Sequence, residues 1–212
     1  MRVATRPDIS FTVTKLSQYM TCALQSHMTM AKHVLRYLKG NMNEKLCFTK
    51  IKSSDRNVSI TGFCDADWAN GDDRKSITGY CFKITDKGPM ISWKSRKQPT
   101  VALSSCEAEY MALASATQEG KYLLSLLNEI LNLNQLSFKL KCDNQAAISL
   151  TKNPINHNRS KHIDIKYHFL RDEIENNALE IQYVPTEDNV ADVFTKPMSK
   201  IKFQKFKSSL FG

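Results

Sequence analysis

The stretch Val58-Ser-Ile-Thr-Gly-Phe-Cys-Asp65 alternates its side chains with period two and ends on an acid. That alternation marks a strand rather than a helix. Downstream, Ser76-Ile-Thr-Gly-Tyr-Cys-Phe-Lys-Ile84 is a second such run, and Asp86-Lys-Gly-Pro89 supplies a turn before a third, Met90-Ile-Ser-Trp-Lys94. Connections this short predict an antiparallel meander. The pattern then changes. Residues 105–132 place Ala108, Met111, Ala112, Leu123, Leu124 and Leu127 at helical spacing, and Ser104-x-x-Glu107 before them matches a capping box. A fourth strand is expected at Phe138–Cys142, helices at 144–151 and 160–176, a fifth strand at Leu179–Val184 and a last short helix at 189–195. The order β-β-β-α-β-α-α-β-α predicts an α/β fold: a five-stranded mixed sheet flanked by helices, its later strands parallel and reached by helical crossovers.

Upstream, residues 9–20 and 26–39 read as two amphipathic helices, with Ala31, Val34, Leu35 and Leu38 on one stripe and Gly40 as a stop. The polar run Ser53-Ser-Asp-Arg-Asn57 separates this two-helix appendage (1–52) from the main body (58–198), and a basic tail (199–212) follows. Net charge is +9, unevenly spread: residues 1–57 hold ten Lys/Arg against three Asp/Glu, residues 195–212 five Lys and no acid, and residues 58–194 fifteen basic against eighteen acidic. Basic flanks around a slightly acidic centre suit a polyanionic partner approaching a carboxylate cluster. They suit a solvated surface as well. No apolar run reaches the length of a membrane span, so no membrane partner is expected. The N-terminus carries no secretory pattern, and the six cysteines lie singly without a C-x-x-C pair. The expectation is an intracellular protein, cytoplasmic or nuclear, without a zinc site or a disulfide frame.

Four acids fall where elements begin or end: Asp65 at the first strand, Glu109 in the first turns of the long helix, Asp143 at the join of the fourth strand and its helix, and Asp192 at the last short helix. Sites in open α/β sheets gather at the carboxyl ends of parallel strands. Carboxylates brought together there repel one another unless cations neutralise them. Mg²⁺ takes hard oxygen ligands, and Mn²⁺ accepts the same set. Each acid also has an ordinary reading: Asp143 as a helix N-cap, Asp192 as a partner of a helix dipole, Asp65 and Asp67 as turn residues. The capping role assigned to Glu107 leaves Glu109 as the freer carboxylate. Lys94, Arg96, Lys97 and Gln98 form a basic run, Arg159 and Lys161 another, and Asn144 and Gln145 follow Asp143; all eight are candidate nucleic-acid contacts. Trp68 and Trp93 are expected in the core.

Five segments in order resemble the ribonuclease H domain of Copia-type retrotransposon Pol polyproteins: Cys64-Asp-Ala-Asp-Trp-Ala69, Ser104-Ser-Cys-Glu-Ala-Glu-Tyr-Met-Ala112, Cys142-Asp-Asn-Gln-Ala-Ala147, Lys161-His-Ile-Asp-Ile-Lys-Tyr-His-Phe169, and Glu187-Asp-Asn-Val-Ala-Asp192 with Phe194-Thr-Lys-Pro197. Thr5-Arg-Pro-Asp-Ile9 and Ala31-Lys-His-Val-Leu-Arg-Tyr-Leu-Lys-Gly40 resemble the end of the reverse transcriptase that precedes that domain. The resemblance implies a ribonuclease H-like fold and a four-acid site of Asp65, Glu109, Asp143 and Asp192. That site would bind two Mg²⁺ (or Mn²⁺) ions and cut the RNA strand of an RNA–DNA hybrid to leave 3′-hydroxyl and 5′-phosphate ends. It also implies, as partner, the reverse transcriptase portion of the same or another Pol polyprotein, and a cytoplasmic setting in a virus-like particle. Many cellular ribonucleases H carry a His before the fourth acid. Here that loop, Pro185-Thr-Glu-Asp-Asn189, has none; His157, His162 and His168 lie earlier and are expected in structural or substrate-contact roles. A catalytically idle, domesticated module that only binds hybrids is the alternative. An integrase would need the order D, D, E, which the order D, E, D, D excludes.

Overall fold

The computed structural model describes residues 5–48, 59–71, 73–85, 88–132, 137–152 and 161–212. Its strands are β1 (Ile60–Asp67), β2 (Ile77–Lys83), β3 (Ser92–Lys97), β4 (Phe138–Cys142) and β5 (Leu179–Tyr183). They form one sheet in the order β3-β2-β1-β4-β5. β1, β2 and β3 are antiparallel neighbours, while β4 runs parallel to β1 and β5 parallel to β4. This is the mixed five-stranded sheet that the sequence predicts.

Both faces of the sheet are covered. Ile60, Cys64, Tyr80, Phe82, Phe138 and Leu140 pack beneath α3 (Ser105–Leu131), α4 (Gln145–Lys152) and α5 (Lys161–Glu175). On the opposite face Phe63 and Cys81 meet Val190, Val193 and Phe194 of the 3₁₀ turn Val190–Phe194, together with Phe206, Leu210 and Phe211. The alternation read from Val58–Asp65 thus divides one strand between two cores, as period-two geometry requires. Gly79, paired with Asp65, permits the second packing: a Cβ there would lie 2.6 Å from Thr195 Cγ2 and 2.8 Å from Phe194 Cβ.

The long helix begins as a capped helix should. Ser104 Oγ accepts from Glu107 N at 3.1 Å, and Glu107 Oε2 accepts from Leu103 N at 2.9 Å. The carboxylate therefore satisfies the residue before the N-cap rather than the N-cap itself. Asn132, in the left-handed region at φ 51°, closes the other end.

One flanking region differs from expectation. Residues 200–211, read as part of a basic tail, form helix α6 (Lys200–Phe211), which buries Phe206, Leu210 and Phe211. Its four lysines hid an aromatic face that a charge count does not register. The upstream helices α1 (Ser10–Ser17) and α2 (Gln25–Gly40) are tied to the body. Thr14 Oγ1 donates to Ser95 O at 3.1 Å, and Lys207 Nζ reaches Asn41 Oδ1 at 2.6 Å and Glu44 Oε1 at 2.5 Å. Arg6 grips the buried Asp8 with two N–H donors at 2.9 and 2.7 Å, and Tyr37 Oη donates to the same carboxylate at 2.6 Å. α2 itself buries no residue.

Candidate metal centre and nucleic-acid interface

Asp65 lies near the carboxyl end of β1, and Asp143 directly follows Cys142, the last residue of β4. Because β1 and β4 are adjacent and parallel, with Phe63 paired to Lys141, both acids emerge at the same end of the sheet. The turn Val190–Phe194 brings Asp192 to them from the face opposite the long helices. Asp65, Asp143 and Asp192 each offer a carboxylate oxygen within 4.8 Å of the other two. Glu109, in the second turn of α3, joins from the helical side: its carboxylate, Cys142 Sγ and Asp143 fall within the same limit. Asp143 belongs to both groups, so the four acids named from the sequence form one cluster.

The cluster is largely dry. Asp192 is 0%, Asp65 2% and Glu109 7% exposed. Burial, before any neighbour, lifts the Glu109 carboxyl to about 11; Asp65, the Cys142 thiol and Asp143 add to the rise, and the Ala66 N–H opposes it. Burial likewise lifts Asp65 to about 7, against the pull of Lys196 and the Thr195 hydroxyl. The Thr195 hydroxyl donates to Asp65 Oδ2. Lys196 Nζ stands 2.8 Å from Asp192 Oδ1, an ion pair without hydrogen-bond alignment, and 3.7 Å from Asp65 Oδ2. Lys202 Nζ donates to Asp192 Oδ2 at 2.6 Å. Burial works against the charge of Lys196, but Asp65 and Asp192 together hold its pKa above the ordinary lysine value.

Three residues that support the acids escaped the sequence reading. Thr195 and Lys196 sit inside a quoted motif yet had no role there, and Lys202 belongs to the helix taken for a tail. Asn189 is a fourth. It is fully buried, donates Nδ2–H to Cys64 O at 2.9 Å and accepts from Ala191 N at 3.2 Å. It thereby fixes the main chain beside Asp65 to the turn that carries Asp192. Replacing Asn189 by Ala strands a buried carbonyl and a buried N–H, so a loss of about 1–3 kcal/mol is expected in urea unfolding. A loss below about 0.5 kcal/mol would mean that this tie does not hold the turn.

The other candidates fall into distinct environments. Lys94 and Arg96 are exposed on the edge strand β3, beside a cleft of about 340 Å³ lined also by Tyr80, Met111, Gln118 and Lys166. They lie within the strand, not after it, because β3 runs from Ser92 to Lys97. Lys97 is engaged with Asp73 at 2.9 Å and Gln18 at 3.2 Å. Gln98 is not a surface contact. At 3% exposure its Nε2 donates to Thr78 Oγ1 at 2.9 Å and Ala108 O at 3.0 Å, joining the end of β3 to α3. Asn144 caps α4, its Oδ1 accepting from Ala147 N at 2.9 Å, which takes the capping role away from Asp143. Gln145 is exposed at the start of the same helix. Lys161 opens α5, whereas Arg159 and His157 lie outside the described residues. Trp68, expected in the core, is 48% exposed and donates its indole N–H to Ala102 O at 3.1 Å; Trp93 packs against the second core.

No protein-family model matches the chain. A retrovirus-related Pol polyprotein from transposon RE1 of Arabidopsis thaliana is 40% identical over 208 residues, which are 97% of this chain and 14% of that polyprotein. The chain belongs to the Copia-type retrotransposon Pol family. It spans about a seventh of the Pol polyprotein it matches. Among solved structures, the foamy viral protease–reverse transcriptase dRH in complex with double-stranded DNA superposes with a TM-score of 0.50 at 13% identity, over 87% of this chain and 30% of that one. LC11-RNase H1 in complex with RNA/DNA hybrid superposes with a TM-score of 0.48 at 16% identity, over 64% of this chain and 93% of that one. The fold of this Copia-type segment is ribonuclease H-like.

Proposed function

We propose that this chain is the ribonuclease H module of a Copia-type Pol polyprotein, a metal-dependent endonuclease that cuts the RNA strand of RNA–DNA hybrids. The convergence of Asp65, Asp143 and Asp192 oxygens within 4.8 Å, with Glu109 joined through Asp143, carries the reading. A divalent cation fits this donor set. The ligands are hard carboxylate oxygens, and burial with mutual repulsion leaves Asp65 and Glu109 reluctant to ionise without added positive charge. When bound, two such ions supply an activated water and steady the attacking and leaving oxygens of a phosphodiester displacement. Asp65 and Asp143 would hold ions from the strand ends, Glu109 from the helix and Asp192 from the opposite face. Thr195 fixes the Asp65 carboxylate through its hydroxyl, and Asn189 fixes the main chain from which that carboxylate projects.

Hybrids are recognised by shape and by 2′-hydroxyls across a shallow minor groove, with cations placed on phosphates. Lys94 and Arg96 on the exposed edge of β3 suit the phosphates, and Gln145 at the mouth of α4 suits sugar hydroxyls. Leu24 at the N-cap of α2 and Met28, Met30 and Leu35 within it face solvent, Leu35 at 66% exposure. An apolar face that no element covers among the described residues suits the reverse transcriptase portion of the polyprotein.

The test is cleavage of an end-labelled RNA–DNA hybrid by the full chain in Mg²⁺ and in Mn²⁺. RNA-strand products with 3′-hydroxyl and 5′-phosphate ends are expected. A folded protein that binds the hybrid and leaves it intact in both metals overturns the enzyme reading for this chain and leaves the hybrid-binding module in its place.

A further inference from the structure

Asp192 has an unusual pair of neighbours for a metal ligand. Its carboxylate is fully buried, and each oxygen already faces an ammonium group: Oδ1 faces Lys196 at 2.8 Å and Oδ2 faces Lys202 at 2.6 Å. Both lysines keep about a third of their side chain in solvent, at 34% and 32%. A buried carboxylate needs compensating charge, and here the chain supplies two cations of its own.

Neither lysine is placed casually. Lys196 stands four residues after Asp192, on the chain leaving the same turn, and its Nζ also faces Asp65. Lys202 is in the first turn of α6. Ser199 Oγ caps that helix by accepting from Lys202 N at 3.3 Å, and burial of Phe206, Leu210 and Phe211 anchors it. Lys202 also donates to Thr186 O at 3.3 Å, and Lys205, one turn on, holds Glu187 O at 2.9 Å and Asp188 Oδ1 at 2.7 Å. α6 therefore clamps the loop before Asp192 from outside. The Glu109–Asp143 side of the cluster has the Cys142 thiol beside it, and no ion pair to Glu109 or Asp143 occurs among the described residues.

We propose that Lys196 and Lys202 occupy the Asp192 side of the centre in place of its second cation. The free protein then takes one divalent ion, at the Asp65–Glu109–Asp143 side, and admits the second when a nucleic-acid phosphate draws the lysines away. Lys196 and Lys202 are positioning residues in this scheme. Without substrate they hold Asp192 and exclude a second ion by like-charge repulsion; with substrate their flexible stems carry the ammonium groups to the phosphate oxygens. The inference rests on the metal-centre reading proposed above and adds an order of loading to it.

Mn²⁺ binding to the full chain, read from the electron paramagnetic resonance signal of free Mn²⁺, tests the scheme independently of activity. Five proteins are compared: wild type, Lys196→Met with Lys202→Met, the same pair changed to Arg, Lys196→Met alone, and Asp143→Asn. One ion per chain is expected for wild type and for the Arg pair, which keeps the charge. Two ions are expected for the Met pair, the second tightened by about tenfold or more. Adding an uncleavable hybrid with a 2′-O-methyl RNA strand is expected to raise wild type to two. Should the Met pair fail to unfold cooperatively, Lys196→Met alone carries the comparison and is expected to gain the second ion more weakly. Wild type that already binds two ions as tightly as the Met variants overturns the inference, as does a Met pair that still takes one; either leaves the metal centre intact. Asp143→Asn that binds Mn²⁺ as wild type does, or a wild type that binds none, removes the metal centre itself.

Discussion

Replacing Asp143 by Asn is expected to slow RNA-strand cleavage by roughly a thousandfold, about 4 kcal/mol of transition-state stabilisation. Asp143 belongs to both donor groups, the all-oxygen set with Asp65 and Asp192 and the mixed set with Glu109 and Cys142. No other position in the cluster serves both, so its charge influences whatever binds on either side. Asparagine keeps the shape and one carbonyl oxygen but loses the negative charge. The fold has little to lose: Asn144, not Asp143, caps α4. Thermal unfolding is therefore expected to stay close to wild type. Hybrid affinity is expected to hold within a few-fold, or to tighten slightly as a carboxylate no longer repels the phosphates. Single-turnover cleavage of labelled hybrid, beside a binding measurement, separates these effects. A variant within tenfold of wild-type rate would take Asp143 out of the reacting site. A variant that loses binding as well as cleavage would make Asp143 a substrate contact first.

The acids were legible because they sit where a sequence pattern breaks. The period-two run at 58–65 ends on Asp65, and the alternating segment Phe138-Lys-Leu-Lys-Cys142 stops just before Asp143, so the residue pattern alone marks both as strand ends. Glu109 was separable from Glu107 because a capping box has fixed spacing: Glu107 bonds to Leu103 N, one residue before the N-cap expected for it, while the Glu109 carboxylate lies beside Cys142 and Asp143. The residues that neutralise and fix the acids were not legible. Lys202 and Asp192 are ten residues apart, across a proline-containing connection, and meet only because α6 folds back on its aromatic face. Five lysines and no acid in 195–212 suggested solvent, whereas packing is set by Phe206, Leu210 and Phe211. Gln98 failed for a related reason. In a run of Lys, Arg and Lys it read as one more polar surface residue, yet at the end of an edge strand beside a helix its buried amide bridges Thr78 Oγ1 and Ala108 O. Trp68 shows the converse: an indole donates one N–H and has a large apolar ring, and here the N–H finds Ala102 O while half of the residue stays in water.

Glu109→Gln is expected to abolish cleavage and, in metal-free solution at pH 8, to make the protein more stable than wild type. In the folded chain the Glu109 carboxyl is pushed up to about 11, first by burial and then by Asp65, Cys142 and Asp143; an unfolded chain leaves it at the ordinary 4.5. Between those values the folded state holds one more proton than the unfolded state. Stability from this group is thus complete below about pH 4.5 and declines as pH rises toward 11. The slope for one proton is about 1.4 kcal/mol per pH unit, or about 3–5 °C of melting temperature for a chain of this size. Asp65, raised from 3.8 to about 7, adds to the decline over the lower part of the range. Glutamine has the shape of the protonated acid and no proton to give up, so the variant is expected to lose the Glu109 share of the slope and keep that of Asp65. Divalent cations reverse the comparison. An ion that binds the deprotonated carboxylate restores wild type most strongly at high pH and does little for glutamine, which offers one weak neutral oxygen. Melting curves from pH 5 to 8.5, with and without Mg²⁺, measure all of this at once. Equal slopes in the two proteins would mean that Glu109 ionises freely in the fold. A Mg²⁺ effect that survives in the variant would place the ion on Asp65, Asp143 and Asp192 without help from the helix. The expected result ties the inactivity and the added stability of one variant to a single cause: a buried, crowded carboxylate is costly to the fold, and a bound cation is what offsets that cost.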